Sequence, residues 1–351
     1  MRNSCRLNSC FKFILQLLVL KILIIRFSSI GDIVLTTPVV RCVHKQLGAE
    51  VHFLTKRNFK GIVENNPYIQ KVWTIEKDVS EISTVLKTEN FDYVIDLHKN
   101  LRSFQVRRAL STQSFVFHKL NVEKWLLVNV KINRLPNIHI VDRNMKTVEK
   151  LGVKNDGAGL DYFIPEKDEV TLSDFNIPPQ SCFGLDGAFA PYIAFVIGAA
   201  HATKRLPPQK IVEICNSIQL PIVLLGGKED VEHAQFIENQ TNGHVLNLCG
   251  KLNLNQSASV VKQAKNVISH DTGLMHIAAA FRKDIISIWG NTIPEFGMTP
   301  YLPTEGSQFF EVKGLKCRPC SKIGFDKCPK GHFKCMNAQN TEGVISAINK
   351  G

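Results

Sequence analysis

Three features of the chain predict an α/β fold in which two Rossmann-like domains face each other across a cleft. The first is the stretch from Asn266 to Phe281. Val267 and Ile268 form a short apolar run, Ser269 to Gly273 break it with small and polar residues, and Leu274, Ile277, Ala278 and Phe281 then recur at helical spacing. Ile285–Trp289 follows at once, which makes a βαβ unit. The second is that short apolar runs alternate with helical stretches on both sides of a segment rich in Gly, Asp and Pro. The third is size: 351 residues at 44% hydrophobic content are more than one ordinary core holds.

Taken in order, Ile22–Phe27 is a continuous apolar run, as in a strand buried on both faces. A turn over Ser28–Asp32 leads into a helix from Ile33 to Leu47, ended by Gly48. Strands are expected at Val51–Leu54, Lys71–Ile75, Tyr93–Leu97 and Ser114–Phe117, and helices at Val79–Thr88, Asn100–Leu110, Val122–Lys131 and His139–Leu151. From Asn155 to Pro191 the periodicity fades into a linker, with extended backbone at Leu160–Ile164. The second series has strands at Tyr192–Ile197, Ile222–Leu225, Val245–Leu248, Val267–Ser269 and Ile285–Trp289, with helices starting near Pro208, Glu229, Asn255 and Gly273. Beyond Trp289 the pattern is irregular until a last helix, Thr341–Asn349, expected to cross back onto the first domain. The divisions are 1–20, a leader or over-extended start; 21–154, the N-terminal domain; 155–190, the linker; and 191–351, the C-terminal domain with its Cys-rich tail. Lys12, Gln16 and Lys21 interrupt the apolar leader, which falls short of the roughly 20 clean residues of a membrane span.

Net charge is +12, and it is patchy. Leu97 to Val122 carries Lys99, Arg102, Arg107, Arg108 and Lys119 with no acid, so an anionic partner is expected. Ten cysteines do not make a disulfide-dense chain of this length. Four of them, Cys317, Cys320, Cys328 and Cys335, form a ladder whose first pair has zinc spacing; a structural zinc, free thiols and disulfides are all compatible with it.

In open parallel sheets ligands sit beyond the carboxyl ends of strands, where Asp271, Thr272 and Gly273 fall, and a helix start there favours phosphate. Capping alone would account for an Asp-Thr-Gly. His276, one turn into the helix, points to the same mouth and adds a second functional group. Ser269-His-Asp-Thr-Gly-Leu-Met-His-Ile-Ala-Ala279 resembles the donor-site motif of glycosyltransferase family 9, the heptosyltransferases that use ADP-heptose to build lipopolysaccharide cores. The resemblance runs from about Lys21 to the C-terminus and implies the GT-B fold.

Further motifs follow in family order. Ser28-Ser-Ile-Gly31-Asp32 resembles the N-terminal signature, which makes Asp32 the general base. Gly198 to Arg205 lacks Walker A spacing, yet Thr203 and Lys204 suit a diphosphate, and Lys204 matches the family's phosphate-binding lysine, with Arg205 as fallback. In Gly226-Gly227-Lys-Glu229, Glu229 matches the ribose-binding acid, and Leu252 lies in the segment expected along the adenine. Lys99 and Arg102 match the acceptor side. The loop Gly290-Asn291-Thr292-Ile293-Pro294 departs from the usual Gly-Pro-Thr-Asp-Pro, which bears on donor preference.

The implied reaction is a single inverting displacement. Asp32 takes the proton of an acceptor hydroxyl, Lys204 and helix N-termini stabilise the departing diphosphate, and Asp271 and His276 hold the heptose or a phosphate oxygen. No cofactor and no active-site metal are expected. The implied partners are ADP-heptose and an anionic lipopolysaccharide-precursor acceptor at the membrane surface, with the enzyme cytoplasmic and peripheral on the inner face of the inner membrane. A nucleotide-sugar epimerase of the same fold would leave the basic stretch unused. A nucleic-acid-binding protein would need more aromatic residues among those cations than this chain has.

Overall fold

The computed structural model describes residues 19–170 and 191–350. Most of the expected leader and the second half of the expected linker lie outside the described residues.

The first sheet has five parallel strands in the order β3-β2-β1-β4-β5, with β1 Lys21–Ile25, β2 Glu50–Lys56, β3 Lys71–Ile75, β4 Tyr93–Asp96 and β5 Ser114–Val116. The second has six, in the order β11-β10-β9-β6-β7-β8: β6 Ile193–Val196, β7 Ile222–Leu225, β8 Val245–Asn247, β9 Asn266–His270, β10 Asp284–Trp289 and β11 Gln308–Glu311. Ile22 to Ile25 and Ile193 to Val196 are buried along their whole length, as central strands covered on both faces must be. Chain order reverses between β1 and β4 in one sheet and between β6 and β9 in the other. Each reversal opens a crevice at the carboxyl ends of those strands, where the segments after β1, β6 and β9 carry Asp32, Lys204 and Asp271.

Several expected elements come out differently. The helix from Ile33 is two, Ile30–Val34 and Thr37–Leu47, because Pro38 suits a first turn and not a helix interior. The helix expected over His139–Leu151 stops at Met145 and resumes as a short turn at Glu149–Leu151. Leu160–Ile164 lies in the linker and joins no sheet, as expected. That stretch is pinned by side chains instead: Arg41 pairs with Asp156 and Asp161, and Tyr162 Oη donates to Asn255 Oδ1 at 2.6 Å. Strand β11 was not expected; four residues at a sheet edge with Gln308 and Phe309 exposed leave little pattern. The last helix, Thr341–Lys350, does not cross to the first domain. Val344, Ala347 and Ile348 pack into the second domain's core, against the helix Pro208–Asn216 and β10.

The two halves meet where two helices cross, Ile30–Val34 from the first and Gly273–Ala280 from the second. Glycine makes this approach feasible on both sides. A Cβ on Gly31 would lie 2.5 Å from His276 Cδ2, and one on Gly273 would lie 2.6 Å from Ile30 Cγ2.

Candidate active site

Asp32 is the third residue of its helix and closes a capping box with Ser29, whose Oγ donates to Asp32 Oδ2 at 2.8 Å. The other oxygen meets Arg26 Nη2 at 2.7 Å. Burial pushes the Asp32 carboxyl up, but Arg26 and the two Ser29 hydrogen bonds outweigh it and hold the group below the usual carboxylate range. It is therefore ionised at neutral pH. Arg26 is fixed in turn by donating to Ser28 O at 2.8 Å and Leu97 O at 2.6 Å, which bridges the ends of β1 and β4.

Across the seam, Lys204 Nζ donates to Asp271 Oδ2 at 2.6 Å, and Thr292 Oγ1 donates to the same oxygen at 2.9 Å. His276 is almost wholly buried against Gly31, and burial pulls its pKa down to about 4, so the ring is neutral. Its Nδ1 has no hydrogen-bond partner among the described residues. Thr272 caps the helix start in extended conformation, with its hydroxyl 3.3 Å from Ser269 Oγ. His270, fully buried and held down to about 3 by burial, accepts from Leu206 N at 2.9 Å. That bond ties the Lys204 loop to the strand carrying Asp271.

The remaining donor-side residues divide into two groups. Gly226 and Gly227 end β7, and Gly250 N donates to Gly226 O at 3.1 Å, which lays the segment of half-buried Leu252 alongside. Glu229 is exposed, its carboxylate folded over Gly227. Its neighbour Asp230 is buried, accepts from Gly227 N at 2.9 Å and pairs with Arg205 at 3.2 Å. Arg205 is thereby committed to holding the loop, while Lys204 faces the crevice. Thr203 is also committed. Its buried hydroxyl accepts from Phe325 N at 2.8 Å and donates to Asn291 Oδ1 at 3.1 Å.

On the acceptor side, Asp96 is fully buried and caps the turn after β4, accepting from His98 N at 3.0 Å and Lys99 N at 2.7 Å and pairing with Arg107 at 3.0 Å. Lys99 is exposed, and Arg102 Nε donates to Lys77 O at 3.0 Å, away from Asp32. The cations that gather around Asp32 are others: Arg26, Lys119, Lys124 and, from the Cys-rich tail, Lys322. Burial, then Arg143, push Lys124 down to about 8, against the attraction of Asp32. His98 in the same basin is lowered to about 4 by burial and by Arg26 and Lys119. Arg143 also lines a cavity of ≈ 190 Å³ with His118, Leu120 and Lys146. Arg26 and Lys124 carried no sequence signal, because each lies in an apolar run that reads as packing.

Of the three readings the ladder left open, the structure shows free thiols. All four ladder cysteines are free, and among the described residues no group of three or more His, Cys, Asp or Glu is placed to hold a metal. The tail braces the donor side instead. Arg318, between the first two cysteines, donates from Nε to Gly290 O at 2.5 Å and from Nη2 to Thr292 O at 2.8 Å, and pairs with Glu311 at 2.6 Å.

The sequence model of glycosyltransferase family 9 (heptosyltransferase) matches residues 79–324. Lipopolysaccharide heptosyltransferase 1 of Campylobacter coli is 24% identical over 308 residues, which cover 78% of this chain and 84% of that protein. The solved structure of the glycosyl transferase family 9 protein from Veillonella parvula DSM 2008 aligns with a TM-score of 0.74 at 21% identity, covering 94% of this chain and 96% of that one. E. coli ADP-heptose lps heptosyltransferase II aligns with a TM-score of 0.66 at 20% identity, covering 91% of this chain and 98% of that one. These likenesses establish the fold, the GT-B arrangement expected from the sequence.

Proposed function

The chain belongs to glycosyltransferase family 9, the heptosyltransferases, and from that membership we propose that it moves heptose from ADP-heptose to an anionic lipopolysaccharide core acceptor, lipid A-Kdo or inner core, with inversion. The observation that carries this reading is the juxtaposition at the seam. An ionised carboxylate from the first half, Asp32, faces the Lys204–Asp271 pair and neutral His276 of the second. The curated relative is a lipopolysaccharide heptosyltransferase, and the name of the E. coli structure includes ADP-heptose.

In this reading Asp32 accepts the proton of the acceptor hydroxyl while that oxygen forms a bond to the anomeric carbon and the bond to the diphosphate breaks. ADP leaves with the electron pair. Lys204 and the N–H groups at Thr272 and Gly273 face the leaving diphosphate, in a site where fixed charges act through little water. Asp271 and His276 hold the sugar, Glu229 the ribose, Gly226 and Gly227 allow close approach, and Leu252 lies along the base. Lys99 and Arg102 belong to the outer acceptor path, while Arg26, Lys119, Lys124 and Lys322 line the basin next to the base. An epimerase would have no use for that basin. In this reading the enzyme works on the cytoplasmic side. No helix among the described residues is long and apolar enough to cross a membrane.

The test is incubation with ADP-heptose and candidate core acceptors, read by mass. A heptose-sized increase on one acceptor is the expected result. With Asp32→Asn, turnover should fall by roughly 10²–10⁴ while donor affinity by calorimetry barely changes. Near-normal turnover would remove Asp32 from the role and direct attention to His98.

A further inference from the structure

The cysteine ladder is the motif that the proposed reaction leaves unused. Burial pushes the thiols of Cys215 and Cys249 up to about 12 and that of Cys335 up to about 11, and it raises Cys42 as well. Thiols buried in this way are inert. Cys317 is placed differently. It is partly exposed, and its sulfur lies 3.7 Å from Nε2 of exposed His332. The other ring nitrogen sets the direction of that contact. Nδ1 accepts from Lys334 N at 3.0 Å, so in the neutral ring the hydrogen sits on Nε2 and is donated to the sulfur. Around the pair, residues 316–334 carry five lysines and Arg318 against a single acid, Asp326. A donor and several cations around a partly exposed sulfur are the surroundings in which a cysteine meets electrophiles.

A second thiol and the donor loop are both within reach of this one. Cys320, three residues on, is raised first by burial and then by negative charge on Cys317 and Cys328, so these sulfurs gather in one place. Arg318 stands between Cys317 and Cys320 and holds the donor loop through Gly290 O and Thr292 O. From the first domain, Lys131 Nζ donates to Cys317 O at 3.2 Å and Pro319 O at 2.7 Å. The turn 317–320 is thus gripped from both halves of the molecule, and its shape decides where Arg318 points.

We propose that Cys317 is a hydroperoxide-sensitive thiol that closes a disulfide with Cys320 and so loosens the hold of Arg318 on the donor loop. The Cys317 sulfur attacks the outer oxygen of the peroxide. The O–O bond breaks, and the departing oxygen leaves with the thiol's proton, as water or an alcohol. Sulfur is oxidised to a sulfenic acid and the peroxide is reduced. The Cys320 sulfur then attacks the sulfenic sulfur. The S–S bond forms, the S–O bond breaks, and hydroxide leaves with the Cys320 proton as water. The bridge demands Cα atoms roughly 4.4–6.8 Å apart and a fixed dihedral, so the turn that carries Arg318 must take up that geometry. A dithiol reverses it by exchange. None of these steps uses the nucleotide or the sugar.

Reactivity, bridging and consequence are read separately on the full chain. In reduced protein, limiting iodoacetamide should label Cys317 about tenfold faster than Cys215, Cys249 or Cys335, as peptide mapping by mass will show. His332→Ala should slow that labelling several-fold at unchanged Tm. After hydrogen peroxide, the tryptic peptide 317–322, which holds both cysteines, should be lighter by two hydrogens. In Cys320→Ser the sulfenic acid should persist and be trapped at Cys317 by dimedone, and Cys317→Ser should give neither product. ADP affinity by calorimetry should fall several-fold in the bridged protein and recover with dithiothreitol, with no change in peroxide-treated Cys317→Ser. Three results would overturn the proposal: Cys317 labelled no faster than the buried thiols, peroxide that leaves peptide 317–322 unbridged, or unchanged ADP affinity in fully bridged protein. Reduced protein that binds no ADP would instead count against the proposed donor, and the labelling and the bridge would still decide the chemistry of the thiol.

Discussion

Single side chains set the protonation states on which the chemistry turns. Arg26 holds the Asp32 carboxyl below its ordinary range against the pull of burial, so the acid limb of turnover should lie below about pH 4. Arg26→Gln removes that cation, and the limb should move to higher pH in a kcat–pH profile. An unmoved limb would mean that another group sets it. The sign for stability is the same: Asp32 contributes above its unfolded pKa, near 3.9, and the contribution is lost as pH falls through the depressed folded value. His270 and His276 act in the opposite chemical sense but over a wider window. Burial holds them down to about 3 and about 4, whereas the unfolded chain takes up protons near 6.5. Stability should therefore fall as pH drops from 6.5 towards 4, at about 1.4 kcal/mol per pH unit for each ring. Urea melts at pH 7, 6 and 5 will measure it. Asp271→Asn and His276→Ala should each weaken donor binding, seen by calorimetry, if the two share the sugar.

Elements decide which of those side chains can meet. The turns after β6, β9 and β10 hold the donor side together through bonds that are not themselves chemistry: His270 to Leu206 N, Thr203 to Phe325 N, and Arg318 to Gly290 and Thr292. Arg318→Ala should loosen the 290–292 loop and raise KM for the donor several-fold with kcat little altered; a drop in kcat alone would contradict a supporting role. Most strands were legible in the sequence because a buried parallel strand is an unbroken apolar run, as at Ile22–Ile25 and Ile222–Leu225. The Asp271–His276 motif was legible because one helical turn forces its side chains to one mouth. The basin around Asp32 was not. Lys119 fell in the basic stretch, but Arg26, Lys124 and Lys322 come from three separate segments, and no periodicity links residues that meet only through tertiary packing. The cysteine spacing left zinc, free thiols and disulfides open, because spacing fixes which thiols can approach, while contacts such as those of Arg318 fix where the tail lies.

For the whole molecule, the decisive feature is that the halves touch through Gly31 and Gly273 with almost no clearance. Gly31→Ala should cost about 1–3 kcal/mol through overpacking against His276, read as a lowered Tm. ADP should raise the Tm of the wild-type protein in a concentration-dependent way, since it binds only the folded form. The same narrow seam bears on thrift. In the proposed reaction the base, Asp32, rides on one half and the sugar-holding Asp271 and His276 on the other, so a parting of the halves would also remove the base from the anomeric carbon. Water entering an open crevice finds the donor without its catalyst. Wasteful cleavage of the nucleotide sugar should accordingly be far slower than transfer, a ratio to be measured by following ADP release with and without acceptor.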